Sequence, residues 1–343
     1  MREDLFGSAV NSVVTVVTVS LLVWGAFTFF QWSVAEAVWS TGPEACRQTA
    51  GACWSFVQAK FRLIVFGTYP SAEQWRPLLA MVLVTVALTA SAHPRLWSAK
   101  LLFIWVPVVG AAAVLMWGGI WGLSYVSHER WGGLPLTVFL ATVSLAIAFP
   151  LAILLALGRR SDLPIFSAVC TVLIEVVRGV PLVSLLFMAL VIVPIVFPDG
   201  FAIDKLFRAL IALTVFAAAY LAEVVRGGLQ GIPKGQYEAA AALGLGYWRT
   251  VRFVILPQAL RIAIPPLTNT LIVMVKNTSL VLVIGLFDLF NAAKAALADP
   301  AWDGFFAEAY FFVALIYFVI CFMISRYSRF LEAYFSSTDR ARS

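Results

Sequence analysis

Runs of about 20 apolar residues recur along the chain, each long enough to cross a hydrocarbon core as a helix. Inside a bilayer the backbone has no water to bond, so it must satisfy itself. Helices do this within one segment. Eight such runs are read: Ser12 to Trp32, Leu78 to Ala92, Leu101 to Trp121, Leu134 to Leu157, one within Ile165 to Phe197, Leu206 to Val225, one within Ile264 to Phe290, and Phe305 to Ser325. Only 12% of the 343 residues are charged, against roughly a quarter in soluble domains. The ten-residue alternating strands of a membrane barrel are absent. The expectation is an all-α integral membrane protein of about eight transmembrane helices.

The formal net charge of +6 is not a nucleic-acid footprint, because the basic residues are scattered at span ends. They report topology, since Lys and Arg collect in cytoplasmic loops. Arg95/Lys100, Arg159/Arg160, the group Arg226/Lys234/Arg249/Arg252/Arg261, and Arg326, Arg329, Arg340 and Arg342 share one side. The opposite loops set Lys205, Arg208 and Lys294 against Asp199, Asp204, Asp299, Asp303 and Glu308. The first side is read as cytoplasmic, with both termini there. The first run is read as a retained span and not a cleaved signal.

The segment Ser33 to Pro77 is read as an outer loop. It holds Cys46 and Cys53, with six residues between them. An outward loop facing an oxidising compartment permits a disulfide. Two free thiols in a short interfacial helix are the other reading. Cys170 and Cys321 lie in apolar surroundings and read as packing residues. Trp24, Trp97, Trp117, Trp121 and Trp131 fall near span ends and read as interfacial anchors. His93 and His128 stand alone in loops, so no metal site is expected.

The chain divides unevenly. Residues 1–130 carry three spans and the outer loop. Residues 131–335 carry five spans and nearly every motif. One short repeat stands out: Glu175-Val-Val-Arg178-Gly179 recurs as Glu223-Val-Val-Arg226-Gly227. Within each copy Glu and Arg are three apart, on one helix face, and can pair. Ionisable residues in a membrane face the protein interior or an aqueous cavity. Two roles stay open for Glu175, Arg178, Glu223 and Arg226: fixing helix register, or contacting a solute at an inner gate. Lys276, Asn277, Thr278 and Ser279 offer donors either to a permeating solute or to neighbouring helices.

A polar segment at about 226–262 interrupts the apolar pattern. Tyr237 to Leu243 are good helix formers, Gly244-Leu245-Gly246 breaks the helix, and Tyr247 to Phe253 reads as a second short helix. Pro257, with Pro265-Pro266, re-aims the chain into the seventh span. Glu238 has two readings: complement to the positive helix end, or partner of a basic group on a docked protein.

Glu238-Ala239-Ala240, three residues, Gly244, nine residues, then Val254-Ile255-Leu256-Pro257 resembles the EAA loop of ABC-importer permeases, with Val254 at the position of the pattern's Ile. The stretch Glu175 to Leu182 resembles the E-x-x-R-G-x-P-L box of polar amino-acid permeases of the histidine/glutamine type, and Lys276 to Leu280 resembles their K-x-T-S-L box. Cys53-Trp54, Gly67-Thr68-Tyr69-Pro70 and Glu73-Gln74-Trp75-Arg76 are similar to the membrane subunits of the general L-amino-acid (Aap/Bzt-type) importer. This resemblance implies a type I importer permease core of five helices with a three-helix N-terminal extension, in a bacterial inner membrane. It assigns Glu238, Ala239, Ala240, Gly244, Leu256 and Pro257 to coupling with an ATPase. It implies ABC ATPase subunits, a second homologous permease, a periplasmic amino-acid-binding protein and an amino-acid substrate as partners, alongside membrane lipid. No Gly-x-x-x-x-Gly-Lys-Ser/Thr phosphate loop occurs. ATP and Mg are therefore expected on the partner, and this chain is expected to be no enzyme and to bind no cofactor. The rival readings are an ABC permease for an opine or compatible solute, and an eight-span membrane enzyme or assembly factor. The latter needs a convergent catalytic constellation, and none is found.

This topology is open to labelling. A cysteine introduced near Lys234 is expected to react only from the cytoplasm, and one near Asp199 only from outside. Reaction of both from one face would break the span count between them.

Overall fold

The computed structural model describes residues 5–93, 96, 100–196 and 203–340, without the side chains of 100, 102, 193 and 336–340. Arg95, Trp97, Asp199 and Arg342 lie outside the described residues. The chain is helical in the order α1 Ala9–Phe30, α2 Pro43–Arg47, α3 Trp54–Phe66, α4 Trp75–Ser91, α5 Lys100–Trp117, α6 Gly133–Arg159 and α7 Pro164–Gly179. Then follow α8 Leu182–Val196, α9 Lys205–Gln230, α10 Lys234–Ala242, α11 Tyr247–Thr250, α12 Leu256–Asn277, α13 Leu289–Ala296 and α14 Phe306–Arg340.

Among the described residues, six stretches are long and apolar enough to cross a membrane: Ala9–Ala35, Ser71–Ser91, Gly133–Arg159, Lys205–Gln230, Tyr247–Ile284 and Phe306–Phe335. The seventh, α7 with α8, is bent by 104°, and Phe103–Trp117 is a shorter apolar helix. These fall on the eight runs read from the sequence. The apolar run within Ile165 to Phe197 is thus broken into two helices. The cause of the break is local: Pro181 pushes Val180 out of the helical region, to φ −103°, ψ 133°, and α7 stops there.

Packing gathers the chain into two compact units, residues 1–62 with 293–314, and 63–292 with 315–343. This division differs from the one drawn by composition at about residue 130. In the first unit Cys46 and Cys53 are bonded, with Cα atoms 5.4 Å apart. The clasped loop is tied to the first turn of α14 and to the segment before it. Cys53 N–H donates to Glu308 Oε1 at 2.8 Å, and Glu308 is buried. Arg47 donates to the Pro300 and Ala301 carbonyls, and Lys60 pairs with Asp299. The Lys60 hydrogen bond holds the Asp299 carboxyl below the usual carboxylate range. A depressed carboxyl stabilises above its unfolded value, so this tether is present at neutral pH and weakens as acid protonates Asp299.

The second unit is built around α9. Ala209, Ala212, Ala217, Ala218, Ala219 and Ala222 are all buried on it. On α6, Leu140, Ser144, Ala148, Ala152 and Ala156 recur every four residues and are buried too. Small side chains let helix backbones approach closely, and this is how helices gain contact where lipid offers no hydrophobic drive. The two helices pack along their length, and α12 and α8 also lie on α9.

In the same unit Arg76 is wholly buried between α4 and α5. Its Nε donates to Leu115 O at 2.7 Å and its Nη1 to Ser124 O at 2.9 Å, with Glu73 at 3.3 Å. One carbonyl near the end of α5 and one in the loop after it thus accept from Nε and Nη1, while Nη2 has no hydrogen-bond partner among the described residues. Trp131 is also buried, 4.4 Å from Trp117 and 5.5 Å from Phe139, so it is a core residue and not an interfacial anchor. Trp121, in contrast, is exposed.

Gly118 and Gly119 separate backbone strain from crowding around Arg76. Both have positive φ, +67° and +79°. A Cβ on Gly118 would sit 2.4 Å from Arg76 Nη2 and 2.1 Å from Ser124 O, whereas one on Gly119 meets nothing nearer than 3.7 Å. Gly119→Ala is expected to cost about 1–2 kcal/mol from the left-handed backbone alone. Gly118→Ala is expected to cost roughly 3 kcal/mol or more by adding a displaced buried charge. Thermal unfolding of the purified protein reads the difference, and equal losses would remove the carbonyl cage from the account.

Candidate functional site

The segment between α9 and α12 is a helix, a left-handed glycine and a second helix. Gly244 adopts φ +72°, a conformation that costs glycine no Cβ clash. The turn lets Leu243 N–H reach Ala239 O at 3.1 Å, Gly244 N–H reach Ala241 O at 2.9 Å, and Leu245 N–H reach Ala240 O at 3.1 Å. The last carbonyls of α10 are thereby satisfied. Gly246 then starts α11, and Thr250 Oγ1 donates to Leu245 O. A π turn, Val251–Ile255, leads into α12 with Pro257 in its first turn, where a missing N–H costs nothing.

The exposed side of this segment is strongly apolar. Leu243, Tyr247, Trp248 and Phe253 are 79, 59, 70 and 67% exposed. Exposed apolar clusters of this kind mark surfaces that meet a protein or a membrane. Ala239 is exposed and Ala240 buried, Leu256 is half-buried and Pro257 exposed. Glu238 is exposed in the second turn of a helix that begins at Lys234. It therefore lies beyond the first turn, where the helix dipole is felt, and the dipole reading loses its ground. Two further residues, absent from the sequence reading, brace the segment: Gln258 Nε2 donates to Gln236 Oε1 at 3.1 Å and to Val254 O at 2.8 Å.

The repeated Glu-x-x-Arg boxes do not behave alike. On α9, Arg226 Nε donates to both Glu223 oxygens, at 3.0 and 2.9 Å. On α7, Glu175 does not pair with Arg178. It pairs instead with Arg159, whose Nη2 is 2.8 Å from Glu175 Oε1. The same guanidinium donates Nη1 to Glu223 Oε2 at 3.1 Å, and Arg178 lies 3.9 Å from that oxygen. Arg159, read from sequence only as a topological charge, is the residue that joins the boxes. The hint was its place at the end of the preceding apolar run, on the same side as Arg226. Arg178 also leans over the Tyr220 ring, 5.6 Å from its centroid. Three guanidinium groups from three helices thus face two carboxylates.

The Lys276 to Ser279 group is split by a change of helix type. The α-helix ends at Asn277 and tightens into a 3₁₀ stretch, Thr278–Ile284, which Gly285 ends at φ +79°. Thr278 is buried and donates to Val275 O at 2.8 Å, and Ser279 donates to Lys276 O at 2.9 Å. Asn277 Nδ2 is 4.0 Å from Met274 Sδ. Of the four, Lys276 keeps an exposed head group. Just beyond lies a buried polar knot that the sequence reading missed. Asp288 caps α13 by accepting Asn291 N–H and Phe290 N–H, both at 3.2 Å, and Tyr317 O–H at 3.0 Å. Leu289 N–H donates to Thr137 Oγ1 on α6, 3.0 Å away. An Asp three residues before Asn at the end of an apolar run was the available signal.

Residues 148–336 match a family model described as binding-protein-dependent transport system inner membrane component. The chain is 44% identical to the inner membrane amino-acid ABC transporter permease protein YhdY of Escherichia coli (strain K12), over 98% of this chain and 92% of that protein. It is 34% identical to the glutamate/glutamine/aspartate/asparagine transport system permease protein BztC of Rhodobacter capsulatus, over 97% and 92%. A solved amino acid ABC transporter with histidines superposes with a TM-score of 0.52 at 32% identity, covering 59% of this chain and 91% of that one.

The charge cluster makes a prediction about partners. In a double-mutant cycle, Glu175→Gln with Arg159→Gln is expected to show a coupling energy of about 0.5–1 kcal/mol, modest because Glu175 is half exposed. Glu175→Gln with Arg178→Gln is expected to be additive. Glu223→Gln removes the carboxylate that faces Arg178 and Arg226 and leaves Arg159 with Glu175 alone, and should cost about 2–3 kcal/mol, less than the 3–5 of a fully buried pair. Thermal unfolding of the four single and two double variants checks this, and coupling confined to Glu175 and Arg178 would contradict the geometry.

Proposed function

Because the chain belongs to the family of binding-protein-dependent transport system inner membrane components, we propose that it carries amino acids into the cytoplasm as a permease subunit driven by a separate ATPase. The observation that carries this is the α10–Gly244–α11 segment. It is an ordered, apolar docking surface on a chain that has no phosphate loop of its own. In this reading ATP and Mg bind the partner, and the present chain binds neither. Glu238, Ala239, Ala240, Gly244, Leu256 and Pro257 couple its motion to the bundle. The loop and both termini face the cytoplasm, and the disulfide-clasped loop faces the opposite, oxidising side.

Amino acids as substrate are supported by what the named relatives move, YhdY amino acids and BztC glutamate, glutamine, aspartate and asparagine. A zwitterion needs donors for its carboxylate and an acceptor for its ammonium. Arg178 and Lys276 supply donors, and Glu175, half exposed, supplies an acceptor. A periplasmic binding protein delivers the substrate, and a second, homologous but different permease completes the pathway. Alternating access follows when ATPase closure shifts the coupling segments of both permeases. The division into an extension of 1–130 and a core of 131–335 is supported by the family match at 148–336, which begins inside that core and ends one residue past it.

The test is uncoupling. Gly244→Pro removes the left-handed turn, and Glu238→Lys reverses the exposed charge. Each is expected to lower binding-protein-stimulated ATP hydrolysis and uptake by about tenfold, the loss of roughly 1.4 kcal/mol at a docking surface, in membranes where the chain remains inserted. Full stimulation and uptake in an assembled complex of either variant would sink this assignment.

A further inference from the structure

The end of α6 carries two consecutive arginines that face different neighbours. Consecutive helix positions point about 100° apart. Arg159 turns to the charged cluster, 2.8 Å from Glu175 on α7 and 3.1 Å from Glu223 on α9. Arg160, the C-cap residue, extends its Nη1 to Tyr237 Oη on α10, 3.5 Å away. Tyr237 immediately precedes Glu238. The helix end between them is held firmly. Ser167 Oγ donates to Arg159 O at 2.8 Å. A Cβ on Gly158 would lie 2.5 Å from Cys170 Sγ and 2.9 Å from Phe166 Cε1, so α7 is seated on this turn at glycine distance.

We infer that Arg159 and Arg160 form the joint through which movement of α10 reaches the charged cluster on α7 and α9. The inference rests on the proposed docking of an ATPase on α10. Displacement of Tyr237 moves Arg160, and the clamped turn carries Arg159 with it. Of the bonds that Arg159 makes, the one to Glu175 is the more yielding, because Glu175 is half exposed and has no i+3 partner of its own. Glu223 stays neutralised by Arg226 when Arg159 leaves. The cluster thus has two arrangements available, with Glu175 bound or released, and α7 ends at the Pro181 break, where a change of its angle is absorbed. Arg159 and Arg160 are positioning residues in this scheme.

The experiment uses the whole transporter, with ATPase, partner permease and loaded binding protein, in proteoliposomes, and reads glutamate uptake per ATP hydrolysed. Tyr237→Phe removes a single oxygen and leaves the fold intact. It is expected to lower that ratio about threefold or more, as is Arg160→Gln, and the double variant should match the singles. Arg160→Lys should restore part of the loss. Arg159→Gln should lower the ratio further. A purely structural role would lower the yield of complex and leave the ratio per assembled transporter unchanged. An unchanged ratio in Tyr237→Phe and Arg160→Gln, or losses that multiply in the double variant, would overturn the joint. Failure of the wild-type chain to assemble with any ATPase would overturn the proposed function, and this inference with it.

Discussion

Glu223, shared by three guanidinium groups, organises the Lys/Arg-rich end of the second unit. Arg226 reaches it along its own helix, Arg159 from the end of α6 and Arg178 from α7. A charge at a bundle end is partly out of water, so its attraction to an opposite charge is stronger than at a free surface. The same partial burial makes an unmatched charge costly. Three cations facing two carboxylates leave an excess positive charge, and the half-exposed Glu175 and Arg178 carry the imbalance where water reaches them. The helices α6, α7 and α9 are therefore held at one end by bonds that can exchange, while small-residue packing holds them along their length.

Function is concentrated where the helices stop. Val180-Pro181 ends α7, Gly244 ends α10 and Gly285 ends the 3₁₀ stretch after α12. Each break has a residue whose backbone chemistry demands it. Each break also frees carbonyls or N–H groups that must find partners, and the partners are the polar residues singled out above. The α10 turn uses its own backbone. The turn after Gly285 uses Asp288, Asn291 and Thr137. The end of α5 uses a buried arginine.

The eight apolar runs and the helix–glycine–helix turn at Gly244 were legible because each depends on residues close in sequence. Apolar length, glycine and proline act through the local backbone, and a retained spacing of Glu238, Gly244 and Pro257 was enough to place the loop. Reading the Glu-x-x-Arg boxes was less secure. Spacing of three puts Glu175 and Arg178 on one face, but it cannot say that a closer cation comes from another helix. The Thr278 and Ser279 hydroxyls follow a related rule. They turn back to the Val275 and Lys276 carbonyls, three residues earlier, once the helix tightens, and sequence carries no mark of that.

By itself the sequence determined the class: helices in a membrane, with one ordered polar segment between two of them. Hydrophobic length and backbone stereochemistry leave few alternatives there. Tertiary structure alone decided which charges meet, that Trp131 is core, that Asp288 is a buried cap, and that Arg159 joins two boxes 16 and 64 residues away. Those outcomes depend on distances between helices far apart in the chain. Such distances follow from the packing of alanine faces on α6 and α9, which sequence proximity does not encode.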